Sequence, residues 1–433
     1  MRRSPYDREI LRFALPALGA LAAEPLYVLV DTAIVGHLGR PQIAALGLAG
    51  TLLAGTFTIF NFLTYGTTAV VARASGAGHD RAAAGLAAQA LWVALAIGAV
   101  LVILAETLGG TVLDALGAHG RSGHFAFVYL RIAALGLPSA LIALAGQGYL
   151  RGVSDLRRPL WIVMGGNAAN VVLEVLFVYG FHWGIAGAAA GTAVAQTGMG
   201  LAFVRELLQP AADTRRPRLA QMRPLVRVGR QIFVRTTALY ASFLVAASVL
   251  ARIGDAELGA HQIAFQLWVF LSLVLDAVAI AAQVIVGRML GAGDGEGAHE
   301  AASRMILWSV ALGTVFAAVL LPLGDVVPRA FTDDPAVIDR AREIWPIFAL
   351  MQPLGAAVYA LDGILIGASD TAFLMWSMLA ASVLVYMPIA LVALAAGWGI
   401  VGVWSGLAAL IVARLTLLGT RFLGRRWAVV GWA

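Results

Sequence analysis

The chain has 433 residues, of which 61% are hydrophobic and only 12% charged, and its mean hydropathy is +0.86. Soluble globular chains are nearer a quarter charged, so this composition indicates an all-α polytopic membrane protein. There is no cysteine, and all 30 basic residues are arginines, which excludes thiol chemistry, Schiff-base lysines and P-loop ATP hydrolysis.

Long apolar runs recur along the chain, most of them near the ~20 residues that a membrane-spanning helix needs. They predict twelve spans, at about 13–35, 43–72, 86–108, 125–150, 159–181, 184–208, 228–253, 258–290, 302–324, 343–367, 372–396 and 398–422.

The arginines follow the positive-inside rule. If the N-terminus is cytoplasmic, 23 of them lie in inside segments and seven lie outside. This bias places both termini in the cytoplasm and predicts a multi-pass protein of the inner (plasma) membrane. The net charge of +6 is therefore a topology signal, and we expect no nucleic-acid partner.

An internal repeat divides the chain into two homologous halves. "GYLRGVSD" at 148–155 returns as "GILIGASD" at 363–370, and "WGIAG" at 183–187 returns as "WGIVG" at 398–402, both with an offset of 215. The predicted domains are an N-terminal six-helix lobe at 1–208, a cytoplasmic linker at 209–227 and a C-terminal lobe at 228–433. Six helices per half make the repeats parallel, related by an axis along the membrane normal.

Five acidic residues interrupt the apolar spans, although an ionised carboxylate in hydrocarbon costs several kcal/mol at least. No arginine is expected deep enough in a span to neutralise them, and none of the five recurs at the 215 offset. They are Glu24, Asp31, Glu174, Asp276 and Asp362.

Two polar faces in the first half could form a wet cavity. Glu24, Tyr27 and Asp31 share a face of the first span, and Asn167, Asn170 and Glu174 repeat the same spacing in the fifth. Buried carboxyls can exchange protons near neutral pH, attract a cation, or bind Na⁺ with amide oxygens. The alternative is that the acids are protonated and only hydrogen-bond neighbouring helices.

The second half offers weaker candidates, Asp276, Asp362 and Gln262, each placed singly in its span. Pro16 and Pro25 in the first span can each free a backbone carbonyl and bend the helix, as a hinge or as a plain structural kink.

Several motifs together make the chain similar to the multidrug and toxic compound extrusion (MATE) transporters, with the DinF-like branch the nearest. These motifs are "LVDTAIVGHLG", "NAANVVLEVLFVYG" and "LDAVAIAAQVIVGRMLGAGD". The resemblance implies twelve helices in two lobes that alternate access and export organic, often cationic, drugs in exchange for H⁺ or Na⁺.

In that branch, the resemblance implies, the central protonation site is Asp31, joined by Asn170 and Glu174, which could also hold Na⁺. Glu174 departs from the aspartate typical of the family. The NorM-like branch uses second-lobe acids, which keeps Asp276 and Asp362 as candidates, and Pro16 matches a proline proposed to bend the first helix. We expect no enzyme activity, no cofactor beyond the coupling ion, cationic amphipathic substrates and a monomer in the lipid bilayer.

Three alternatives remain. A flippase for lipid-linked or other amphiphiles would need cationic groups in its cleft, whereas the predicted mid-membrane charges are all acidic. A prenyltransferase would need clustered Asp pairs, and "TDDP" at 332–335 is isolated. An accessory subunit would tolerate Asp31→Asn without measurable change.

Overall fold

Helices form nearly all of the computed structural model, which describes residues 4–212 and 215–432. Within these ranges there is no β-strand. The α-helices are α1 (Tyr6–Gly36), α2 (Arg40–Phe60), α3 (Phe62–Gly76), α4 (Asp80–Ala115), α5 (Gly120–Ala134), α6 (Leu137–Gly152), α7 (Arg157–Val175), α8 (Gly184–Leu208), α9 (Leu219–Ile253), α10 (Asp255–Gly291), α11 (Gly295–Leu320), α12 (Val327–Phe331), α13 (Pro335–Gly367), α14 (Thr371–Ala380), α15 (Met387–Ala395) and α16 (Gly399–Leu423).

Three short segments continue neighbouring helices with different hydrogen bonding. Leu176–Gly180 and Ala381–Tyr386 are π-helical, and Leu321–Leu323 is a 3₁₀ turn. With these continuations, and with α2 and α3 taken together as one helix (Arg40–Gly76), ten helices in the described ranges are long and apolar enough to cross a membrane, and α5 with α6, bent by 51°, makes an eleventh. The remaining predicted span is α8, of 25 residues. The predicted all-helical membrane fold is confirmed.

The chain divides into two compact units. The first lobe is Gly19–Gly229, and the second lobe is the rest of the chain on both sides of it. Helix α1 therefore contributes its start to the second lobe and its remainder to the first, with the boundary between Pro16 and Pro25. Helix α9 begins at Leu219, within the segment predicted as linker.

Backbone geometry repeats with the sequence. Ser154 and Ser369 both adopt positive φ, at 64° and 59°, although such values are uncommon for residues other than glycine. Each closes the "GxSD" turn at the same place in its half. The two halves therefore share not only residues but also a positive φ angle at the same position of this turn, which supports their predicted homology.

Close helix crossings repeat as well. A Cβ at Gly148 on α6 would lie 2.6 Å from the Thr64 carbonyl oxygen, and one at Gly363 on α13 would collide with the Ala279 carbonyl. Both pairs are 215 residues apart. In the second lobe this crossing joins the two most buried stretches, 277–287 of α10 and 355–368 of α13. Glycine is kept at these positions because any side chain would push the helices apart.

Candidate functional site

Three of the predicted site residues lie buried together in the first lobe. Asp31 on α1 is 5% exposed, and Asn170 and Glu174 on α7 are 4% and 0% exposed. The Asp31 and Glu174 carboxyls are within hydrogen-bonding reach of each other. Two carboxyls this close cannot both be ionised at low cost, and a hydrogen bond between them requires a shared proton.

Glycine and a π-helical turn place Glu174. A Cβ at Gly191 on α8 would lie 2.9 Å from Glu174 Cγ and 3.0 Å from its backbone nitrogen, so α8 approaches α7 closely only because this residue is glycine. The π-helical segment starts at Leu176, two residues after the acid. Single π turns inside α-helices occur frequently at functional sites.

Hydroxyl groups hold one edge of the Glu174 carboxyl. Tyr27 Oη donates to Glu174 Oε1 at 3.4 Å, and Thr192 Oγ1 lies 3.2 Å from the same oxygen and 3.1 Å from Tyr27 Oη. Tyr27 joins α1, and Thr192 joins α8, to the acid on α7. Tyr27, which the sequence places on the same helix face as the acids, therefore contacts Glu174 directly.

One side-chain oxygen of each of the three buried residues lacks a hydrogen-bond donor in the described ranges. Asp31 Oδ1, Asn170 Oδ1 and Glu174 Oε2 are buried and have no hydrogen-bond partner in the described ranges 4–212 and 215–432. Buried polar atoms are nearly always satisfied, and leaving one unpaired costs about 1–3 kcal/mol. Acceptors of this kind can be satisfied by a proton, which the two carboxyls can share, or by a small cation.

Two buried contributors were missed in the sequence. Thr192 forms the bridge described above, and Tyr129 on α5 is 3% exposed and close enough to interact with Thr192 and with both carboxyls. Threonine and tyrosine are ordinary in membrane helices, so neither attracts notice until α5 and α8 are packed against α7.

The remaining first-half candidates lie outside this buried group. Asn167 Nδ2 donates to the Ala23 carbonyl at 3.1 Å, which ties α7 to α1. Glu24 is exposed, unlike Asp31 on the same helix. Pro16 and Pro25 both lie within one continuous helix.

In the second lobe the expected absence of deep arginines is wrong. Arg414 Nη2 on α16 contacts both Asp362 oxygens, at 2.6 and 2.8 Å, and Arg235 on α9 bonds the same carboxylate. Arg414 and Asp362 are 4% and 5% exposed. Arg235 and Arg414 lie seven and eight residues inside the predicted spans 228–253 and 398–422, and the expectation fails because α9 and α16 bring both guanidinium groups to Asp362 on α13.

The other second-half candidates differ in setting. Asp276 is partly buried, and Tyr359 is close enough to interact with Ser272, Asp276 and the Arg235–Asp362 pair. Gln262 is exposed. In the described part of the chain no cluster of three or more His, Asp or Glu side chains is arranged to hold a metal ion.

Comparison with known proteins agrees with this description. The sequence profile of the MatE family matches twice, at 16–176 and at 232–392, in keeping with the internal repeat. The DNA damage-inducible protein F of Escherichia coli (strain K12) is 28% identical over 373 residues, covering 84% of this chain and 81% of the relative. The probable multidrug resistance protein NorM of Bradyrhizobium diazoefficiens is 29% identical over 441 residues, covering 96% and 94%.

The fold has a close counterpart among solved structures. A variant of the Vibrio cholerae MATE transporter VcmN superposes with a TM-score of 0.88 at 19% identity, covering 98% of each chain. At that identity the likeness is one of fold.

Proposed function

The chain belongs to the MatE family of membrane transporters, and from that premise we propose that it exports small organic, often cationic, molecules in exchange for protons. The two lobes would alternate access to the two sides of the membrane. The inner membrane, with both termini in the cytoplasm, is the proposed location, since the arginine distribution favours it. We further propose that the chain works as a monomer.

The observation that carries this proposal is the buried Asp31–Glu174 pair with its unpartnered oxygens. A carboxyl pair that shares one proton can take up a second from one side of the membrane and release it to the other. Protonation changes the charge of the site by one unit, so the affinity for a cationic substrate falls as the proton binds. Competition of this kind is the minimum that exchange requires.

Na⁺ is the alternative coupling ion at Asp31, Asn170 and Glu174. Carboxylate, amide and hydroxyl oxygens are all hard ligands. Glu174 reaches one methylene further than the aspartate typical of the family and already accepts bonds on Oε1. The direct approach of the two carboxyls favours the proton.

The test is efflux of a fluorescent organic cation from proteoliposomes under an imposed pH gradient or an imposed Na⁺ gradient. Asp31→Asn should abolish efflux driven by the pH gradient. Asp114→Asn is the matched control, because Asp114 is an exposed acid of the same lobe. Efflux driven only by Na⁺ would reassign the coupling ion, and wild-type protein inert under both gradients would refute drug export.

A flippase for lipid-linked or other amphiphiles is the second candidate, and the buried arginines bear on it. Arg235 and Arg414 are cationic groups inside the helices that were not expected from the sequence, but both are bound to Asp362. Export of organic cations is therefore preferred. Translocation of a labelled anionic lipid in the same liposomes, lost in Arg414→Met, would reverse that preference.

A further inference from the structure

Four exposed arginines lie on the segment that connects the two lobes. Arg216, Arg218, Arg223 and Arg227, here called the linker patch, are all exposed. Residues 215–230 contain no acid. Across the described ranges 4–212 and 215–432, none of the four guanidinium groups has an ion pair or a hydrogen bond.

Several arginines near helix ends elsewhere in the chain are paired. Arg304 binds Asp7, Arg288 binds Glu9, Arg421 binds Asp370 and Arg425 binds Glu296, at 2.5–2.7 Å. Other arginines, such as Arg40 and Arg252, are exposed and have no ion pair within the described ranges 4–212 and 215–432, but they are isolated along the chain. In the described part of the chain the linker patch has no paired acid, and the positive field of four arginines within twelve residues favours an anionic partner.

The patch is held in a fixed backbone. Gln89, fully buried on α4, donates from Nε2 to the Arg216 carbonyl at 3.1 Å and accepts the Arg218 backbone N–H on Oε1 at 2.9 Å. Trp92 Nε1 donates to the Arg215 carbonyl at 2.9 Å. Arg223 and Arg227 are one helical turn apart on α9 and share a face. A preorganised site loses less conformational entropy on binding than a flexible tail would.

Apolar side chains among the arginines identify the occupant. Leu219 is 81% exposed and Val226 is 50% exposed. An acidic protein or a nucleic acid would satisfy the guanidinium groups but leave these side chains in water. A phospholipid offers a phosphate and an acyl region together, and clusters of four or more basic residues beside a membrane helix bind anionic lipids. We propose that the linker patch binds the headgroups of anionic phospholipids at the membrane surface.

The test is native mass spectrometry of the full chain, purified from bilayers of equal phosphatidylglycerol and phosphatidylcholine with identical acyl chains. The wild type should retain several-fold more phosphatidylglycerol. Arg→Gln at all four patch positions should bring the ratio to about one, and Arg→Lys at the same four should keep it. The matched control is Arg→Gln at four other exposed arginines, Arg40, Arg121, Arg252 and Arg329, which should also keep it.

Two kinds of result would overturn the proposal. The first concerns the lipid ratio, which could stay unchanged in the four-glutamine patch variant or fall equally in the control variant. The other comes from adding polyglutamate to the detergent-solubilised protein: binding that the patch variant loses, together with no lipid preference in the wild type, would assign the patch to an acidic protein partner. Because neither measurement involves transport, failure here is distinct from failure of the export proposal.

Discussion

The two lobes repeat one helical scaffold but carry opposite arrangements of buried charge. In the first lobe the Asp31 and Glu174 carboxyls approach each other, and within residues 4–212 and 215–432 no basic side chain bonds to either and one oxygen of each has no hydrogen-bond partner. In the second, Asp362 is bound by two arginines. The carboxyl pair has oxygens left for something that arrives from outside, whereas the Asp362 carboxylate is bound by arginines of its own lobe.

The charged residues are particular to each lobe. Across the 215 offset, the counterparts are Ala246 for Asp31, Ile389 for Glu174, Gln147 for Asp362, Met199 for Arg414 and Ala20 for Arg235. The glycine crossings recur while these side chains do not. The comparison teaches that architecture was retained in both lobes, while ion exchange is expected in the first and stability in the second.

The largest effect is expected from Asp362→Gln, which copies the first-half residue. It leaves the buried Arg414 guanidinium and the partly buried Arg235 guanidinium without their carboxylate, and removing one partner of a buried ion pair costs about 3–5 kcal/mol. Denaturant unfolding in mixed micelles measures the loss. Asp114→Asn, an exposed acid, should stay within about 0.5 kcal/mol of wild type.

A triple variant sharpens the same comparison. Arg235→Ala, Asp362→Gln and Arg414→Met together give the second lobe the uncharged residues of the first, and replacing a buried ion pair with apolar groups is often neutral or stabilising. This protein should unfold later than Asp362→Gln alone and should still transport under a pH gradient. A triple variant that is stable but inert would give the second cluster a functional role.

The next effect is on transport alone. Glu174→Gln keeps an oxygen that can accept from Tyr27 and Thr192 but carries no exchangeable proton. Gradient-driven efflux should fall at least about tenfold, equivalent to about 1.4 kcal/mol, while unfolding stability changes by about 1 kcal/mol or less. Efflux that survives at wild-type rates would remove Glu174 from the coupling group.

How much the sequence predicts differs between the lobes for a physical reason. Long apolar runs and the 215-residue repeat predict the helices, since both depend only on local composition. Asp31, Asn170 and Glu174 are predictable because polar groups in apolar runs are costly and conspicuous. The Arg414–Asp362 ion pair is not predictable from the sequence, because it depends on the register of α16 against α13. In addition, an arginine near the end of an apolar run resembles a loop residue.

A smaller effect tests the hydroxyl bridge. Thr192→Val preserves shape but removes the oxygen between Tyr27 and Glu174, and one hydrogen bond contributes about 1 kcal/mol, so coupled efflux should fall about fivefold. Thr192→Ser should restore it. The control is Thr197→Val, whose exposed hydroxyl bonds only the Ala193 carbonyl in the described chain. An equal decrease in the control would show that helix packing, rather than the bridge, is responsible.

The smallest effect distinguishes an exposed acid from a buried one on the same helix. Glu24 is exposed, so Glu24→Gln should leave stability and ion coupling unchanged. The role proposed for it is to attract a charged substrate, and exposed ion pairs are worth about 0.2–1 kcal/mol. The half-saturation concentration should therefore rise about two- to fivefold at most for an organic cation and not at all for an uncharged substrate. An equal change for both substrates would mean that Glu24 acts through the helix rather than through its charge, and loss of coupling would return it to the group formed by Asp31 and Glu174.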